Sequence, residues 1–373
     1  MEFVARTADL LQELSLVQGV VERKTTIPIL SNVRLDARDS KKGGEIEIVA
    51  TDLEVGVRTV CPAVVKKTGA MTLPARRLHE IVRLLPDSEV EFNARDGSWV
   101  NIACERIKYR LAGAGTADFP TLPDYDFKDS ISLPLLPLKG MIERIIFAIT
   151  TEDPRFALNG ALLNTGAGKI SLVATDGHRL ALITRTDGSV ADKEIRVIVP
   201  RKTLVELLRF EPGPEGEVRF GLHGNQMFFK MGRRLLQSSV VEGTFPNYEK
   251  VLPEKNDRLM TVATEAFRGA LGRVSLLSQE RSRLVKLSID QGKLVLSTQN
   301  PEMGEAEETI ASEYDGPPFQ VGFNARYLAE FLDAAGSPRI RLELRDETAQ
   351  GLFRPDEEQE WDYRYVVMPM RLT

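Results

Sequence analysis

Asp176-Gly177-His178 sets a carboxylate two residues from an imidazole, the local arrangement in this chain closest to an acid–base pair. A hydrolase using Asp176 and His178 is therefore one reading, and it requires His178 for turnover. Residues this close in sequence more often form a tight turn, with the glycine at positive φ. Other catalytic signatures fail on inspection. Gly113-Ala114-Gly115-Thr116-Ala117-Asp118 begins like a dinucleotide loop, but Asp118 replaces the third glycine and Phe119-Pro120 follows instead of a helix. Gly168-Lys169 resembles the end of a phosphate loop, yet Leu163 stands at the required glycine and Ile170 at the Ser or Thr. His79, His178 and His223 have no paired metal spacing. Cys61 and Cys104 make no disulfide framework and point to a reducing compartment, each as a small buried apolar side chain. No cofactor or metal is expected.

The elements that carry these residues repeat. The alternating strands Glu45 to Ala50, Lys169 to Ala174 and Lys293 to Ser297 end in Thr51-Asp52, Thr175-Asp176 and Thr298-Gln299-Asn300. Asp52, Asp176 and Asn300 are spaced 124 residues apart, so three periods nearly fill the 373 residues. Three equal modules without a catalytic cluster suggest a scaffold or binder rather than an enzyme. Each module carries a late amphipathic helix: Leu78, Ile81, Val82 and Leu85; Leu204, Leu207 and Leu208, with Glu211 breaking the series; Leu328, Phe331, Leu332 and Ala335. Pro74 and Pro200 suit a first helical turn, and Asn324 can cap the third. An opening helix is marked by Leu10, Leu14 and Val17, then by Leu138, Met141, Ile142, Ile145 and Ile149, then by Phe267, Ala270, Leu271 and Val274. Short alternating strands with Gly, Asp and Asn turns lie between. The expected unit is α+β, two helices on antiparallel sheet. Linkers at Thr121 to Asp129 and Leu252 to Arg258 divide the chain into 1–125, 126–253 and 254–373, each able to bury its own core.

Net charge is −5, which by itself argues against a tight nucleic-acid binder. The distribution differs from the total. Six expected helical windows carry 15 Lys and Arg against 10 Asp and Glu. Arg76, Arg77, Arg83, Arg201, Lys202, Arg209, Arg268 and Arg273 read as solvated cations on helix faces. Glu2, Arg6, Asp9 and Glu13 exclude a signal peptide within Met1 to Leu14, no apolar run approaches the ~20 residues that span a membrane, and the expected location is cytoplasmic. The closing Tyr365 to Leu372 run reads as a final strand or an adaptable binding surface, given its two Met and one Pro.

Over its whole length the chain resembles the bacterial DNA polymerase III beta sliding clamps. The resemblance rests on Thr26 to Asn32 (TIPILSN), Ala50 to Leu53 (ATDL), Ala174 to Leu180 (ATDGHRL), Val199 to Lys202 (VPRK), Thr244 to Tyr248 (TFPNY), Gly322 to Asn324 (GFN) and the closing VVMPMRL. It implies three tandem clamp domains per chain and a two-chain ring around double-stranded DNA. Helices line the hole, contacts are independent of sequence, and no cofactor or catalysis is involved. A clamp relative specialised for another replicon or for a toxin-resistance role fits the same resemblance. Partners of the family are the polymerase III alpha subunit, the clamp loader, and other polymerases and repair proteins, which insert short apolar peptides between the second and third domains. The matching positions are Leu158, Thr175, Gly177, His178, Arg179 and Leu180, then Pro246, Lys250 and Val251, then Val366, Val367, Met368, Pro369, Met370 and Arg371. His178, Arg179 and Arg371 are expected at the rim. Lys250 stands where the family often has Arg, which keeps the charge but loses a planar bidentate donor. The wall near Gln350 matches poorly. Family DNA contacts map to Arg23, Lys24 and Arg155, with Arg76, Arg77, Arg83, Arg201 and Lys202 on the helix faces. Glu152 and Ala157 depart from the family's loop around Arg155. The ring interface maps to Tyr109 and Leu111 on one side and Leu276 and Leu277 on the other.

Overall fold

The structure is a computed structural model that describes all residues except 23–24, 40–42, 95–97, 151–155, 187–192, 214–215, 358 and 373. Arg23, Lys24 and Arg155 thus lie outside the described residues. Six α-helices occur among the described residues, two per repeat: α1 (Thr7–Val17), α2 (Ala75–Leu84), α3 (Leu135–Ile145), α4 (Arg201–Leu208), α5 (Thr264–Ser275) and α6 (Ala325–Ala334). Each apolar stripe read from the sequence has a buried centre, while Ile81, Leu85 and Leu208 of the stripes are half-buried. Leu10, Leu78, Met141, Leu204, Phe267 and Phe331 are all within 1% of full burial. The stripes overrun the helices at three points. Leu85 and Ala335 follow the last helical residue, and Ile149 follows a short 3-10 turn at Ile146–Ala148.

The proline expectation is corrected by one residue. Pro74 and Pro200 end strands, each immediately before its helix, and Pro74 is extended at φ −55°, ψ 110°. The missing proline N–H is tolerated there because strand and helix geometry meet at that residue. Asn324 does cap α6, accepting the Arg326 N–H at 3.0 Å.

By contacts the chain forms two compact units, which divide it inside the second repeat: residues 1–136 with 202–240, and 137–201 with 241–373. In the first, a five-stranded antiparallel sheet is built from Val64–Lys67, Glu2–Arg6, Glu89–Ala94, Trp99–Cys104 and Ile107–Ala112, in that spatial order. An eight-stranded sheet joins first-repeat strands to second-repeat strands where Val55–Pro62 pairs with Arg234–Ser239, Val55 opposite Ser238. In the second unit one twelve-stranded antiparallel sheet does the same. There Arg179–Thr186 pairs with Trp361–Val367, Arg179 opposite Val367 and Arg185 opposite Trp361. Within their units α1 packs beside α2 and α5 beside α6. Cys61 and Cys104 are free and buried, and burial pushes the Cys61 thiol up to about 12. Among the described residues no helix is long and apolar enough to cross a membrane.

Candidate functional site

Thr175 ends the strand Lys169–Thr175, and Arg179 begins the next. The turn between them is fixed by its own side chains. The Thr175 hydroxyl donates to the Arg179 carbonyl at 2.6 Å and accepts the Gly177 N–H at 3.1 Å. One Asp176 oxygen accepts the N–H groups of His178 and Arg179 at 2.9 and 3.0 Å, and the other accepts Arg179 Nε at 3.0 Å. Gly177 sits at φ +90°, where a side chain is disfavoured. Asp176 therefore orders backbone and Arg179. This geometry replaces the acid–base reading of Asp176 and His178 with a turn.

The same turn occurs in the first repeat. Thr51 and Asp52 bond the backbone of Leu53, Glu54 and Val55 in the same pattern, and Leu53 takes φ +83°. The following strand pair also matches. Ser239 donates its N–H to the Glu54 carbonyl, as Met368 does to that of His178, both at 2.9 Å.

Beside the Gly177 turn lies a cavity of about 200 Å³. Its floor is Leu158, Leu180 and Val366, each at most 3% exposed; Leu180 and Val366 belong to an apolar cluster that also holds Leu162, Val173 and Phe245. Pro246, Tyr248 and Val251 form one wall, Thr175, Gly177 and His178 another, and Gln350 and Met368 complete it. Met368 is 43% exposed although its neighbour Val367 is fully buried. Strand alternation sends Val366 and Val367 to opposite faces, so Val367 does not line the cavity.

Ten of the expected positions come together here, and five do not. Besides Val367, Lys250 is exposed on the short turn Tyr248–Val251, and Pro369, Met370 and Arg371 lie outside the lining. Met370 donates its N–H to the Gly322 carbonyl at 2.8 Å, which ties the tail to the strand Phe319–Asn324.

Arg179 requires a correction. It lines the cavity but is only 7% exposed, so it is no rim residue. Its guanidinium pairs with Asp176 and Glu330, donates to the Phe147 carbonyl at 2.5 Å and lies 4.3 Å from the Tyr327 ring centre. Burial opposes its charge, and contact with Tyr365 and Glu330 more than offsets that, holding it above the ordinary value. Tyr248 is a lining residue outside the expected set, and its spacing from Val251, one short helical turn, is the sequence signal for it. Gln350 also lines the cavity, although the wall near it matches the family poorly.

Family models of the DNA polymerase III beta subunit match nearly the whole chain: the N-terminal domain at residues 1–123, the central domain at 132–247 and the C-terminal domain at 249–371. Beta sliding clamps of Pseudomonas putida and Escherichia coli K12 are 36% and 33% identical, each over the full length of both chains. The chain belongs to the bacterial beta sliding clamp family. Solved clamp structures agree over all of both chains. The Pseudomonas aeruginosa beta subunit superposes with TM-score 0.91 at 34% identity, and the Caulobacter crescentus clamp with 0.89 at 35%. The latter carries PEG at a putative beta-motif tethering region, and another P. aeruginosa clamp structure holds griselimycin.

The cations read as solvated on the clamp helices divide into two groups. Arg77 pairs with Glu80 at 2.8 Å, Arg273 with Glu308 at 2.6 Å and Arg209 with Glu206 at 3.7 Å. Arg268 pairs with Asp333. Lys202, expected to be solvated, is half-buried; its ammonium pairs with Asp52 and donates to the Val20 carbonyl at 3.0 Å. That leaves Arg76, Arg83 and Arg201 without a carboxylate partner among the described residues; Arg76 and Arg83 are exposed and Arg201 is half-buried. Of the residues mapped to the ring interface, Tyr109 is 37% exposed and Leu111 half-buried, both on the strand Ile107–Ala112. Leu276 is 76% exposed and Leu277 half-buried, just past α5.

Proposed function

We propose that this chain is a non-catalytic processivity clamp. Two copies close a ring around duplex DNA, and each copy tethers polymerases, the clamp loader and repair proteins by short apolar peptides docked beside the Gly177 turn. The observation that carries this reading is the roughly 200 Å³ cavity with a buried Leu158, Leu180 and Val366 floor and an exposed wall at Met368. Met is a side chain that adapts to more than one partner, which suits a site shared by several proteins. Contacts to phosphate carry no sequence information, and a closed ring needs none to be retained. Tyr109 and Leu111 of one copy meet Leu276 and Leu277 of the other in this reading, and the chain divides into clamp domains at 1–125, 126–253 and 254–373.

Griselimycin, held by the P. aeruginosa clamp, is the probe. In titration calorimetry the wild-type chain should bind it, and Met368→Ala should weaken binding about tenfold, the scale of losing one well-packed side chain at an interface. A wild-type chain that does not bind griselimycin, or a Met368→Ala variant of unchanged affinity, removes the pocket assignment.

A further inference from the structure

Ion pairing leaves the free helical cations of the first compact unit concentrated on α2. Arg76 and Arg83 are exposed there and have no carboxylate partner among the described residues. A rise of 100° per residue puts Arg76, His79 and Arg83 within one narrow stripe of that helix. The only acidic residue on the stripe, Glu80, already holds Arg77 at 2.8 Å.

His79 sits between the two arginines, half-exposed, with Nε2 3.0 Å from the Ser15 hydroxyl oxygen on α1. Ser15 has one hydroxyl proton, which goes to the Leu11 carbonyl at 2.7 Å. The Ser15 oxygen is therefore the acceptor and Nε2–H the donor. The neutral ring then keeps its lone pair on Nδ1, and protonation creates a second N–H at that atom.

From this placement we infer that α2 is the principal phosphate-tracking element of the clamp, and that His79 is a proton-linked phosphate contact flanked by Arg76 and Arg83. The inference rests on the proposed reading of the chain as a DNA-encircling clamp.

The surroundings of His79 favour the neutral ring in the free protein. Burial and the neighbouring Arg83 hold the ring below its ordinary value, and Glu80 acts weakly the other way. The free protein thus carries neutral His79 at pH 8. From α1 the facing group is the uncharged Ser15. Beneath α2, the strand Gly69–Pro74 has no titratable side chain. On Asn32–Arg38, Val33 and Leu35 are buried, while Arg34, Asp36 and Arg38 alternate to the other face and pair among themselves and with Glu47. A phosphate oxygen is then the one new charge that binding brings to His79. It favours the imidazolium, so duplex binding takes up a proton.

The test is fluorescence anisotropy of the full chain with a labelled duplex oligonucleotide at low, fixed ionic strength, from pH 8 to pH 6. Wild-type affinity should rise as pH falls, by up to about tenfold per pH unit for one proton taken up. His79→Gln should remove the rise, and His79→Lys should give high affinity without a pH dependence. Because His178 and His223 remain in both variants, any rise they cause persists. In a salt titration, Arg76→Ala and Arg83→Ala should each lower the slope of log K against log salt by about 0.9. Arg268→Ala, whose cation is already paired, should leave it unchanged. A wild-type affinity independent of pH, or a rise retained in His79→Gln, overturns the inference while leaving the clamp reading intact. A chain that binds griselimycin but no duplex at any pH removes the DNA-facing reading and this inference with it.

Discussion

Arg179 illustrates what a single residue does here. It is a buried cation held by two carboxylates, a carbonyl and a ring, and it also closes the turn that shapes the pocket. Truncating one member of a buried ion pair leaves its partner uncompensated, at a cost of about 3–5 kcal/mol. Arg179→Ala should therefore lower unfolding stability by about 3 kcal/mol in denaturant titration, at the lower end because Glu330 is partly solvated. It should also weaken griselimycin binding by loosening the Gly177 turn. The opposite sign is expected at Glu206, which is 2% exposed in α4 with one oxygen lacking a hydrogen bond. Burial raises its carboxyl above the ordinary value. The folded state then holds the proton more tightly than the unfolded state, so this group's contribution is full below the unfolded value and lost as pH rises through the folded one. Glu206→Gln should raise the denaturation midpoint at pH 7, and the gain should disappear near pH 4. The Thr175 to Leu180 string was legible because a turn is built from neighbours. The role of Arg179 was not, since Glu330 is 151 residues away in sequence. Likewise Lys202 read as solvated because Asp52, 150 residues earlier, is brought to it only by the fold.

At the scale of elements, the helices were the most legible part. A 3.6-residue apolar stripe is a local signal, and the centre of each of the six is buried, with Ile81, Leu85 and Leu208 half-buried. Their ends were less legible, because Leu85 and Ile149 keep the stripe going in extended backbone and Ala335 does so as the residue that caps α6. Only α6 among α1, α2, α5 and α6 starts with a side-chain cap, at Asn324. Asn324→Ala should cost about 1 kcal/mol, readable as a lower thermal midpoint with the pocket intact. The strands were legible one by one, but the joins between repeats were not. No local pattern announces that Leu180 lies opposite Val366 or Gly56 opposite Gln237. Those registers follow from ladder geometry once both strands exist, and they are why contacts divide the chain inside the second repeat.

At the scale of the whole molecule, sheets that run across repeats leave edges that a lone chain must expose. Ile107–Ala112 pairs with Trp99–Cys104 on one side only. Its exposed Lys108, Tyr109 and Arg110 make that edge basic. Gly304–Glu313 pairs along its length with Lys293–Asn300, but meets Arg258–Ala263 only at Ser312 and Glu313. Residues 304–311 thus present a second edge, with exposed Glu305 and Glu307 and with Met303 at 61% exposure nearby. A basic edge and an acidic edge on one chain are complementary, so the proposed two-copy ring would set the basic edge of one copy against the acidic edge of the other. Light scattering at micromolar concentration should give twice the 41.6 kDa chain mass. Because exposed charges are screened by salt, the dimer should weaken as ionic strength rises. Lys108→Glu with Arg110→Glu sets like charges against Glu305 and Glu307 and should give a monomer that still binds griselimycin. Adding Glu305→Lys and Glu307→Lys to that variant should restore the dimer, since the pairing is then inverted rather than lost. A charge-reversed chain that stays dimeric would mean that the two edges do not meet, and the closed ring would need another pair of surfaces.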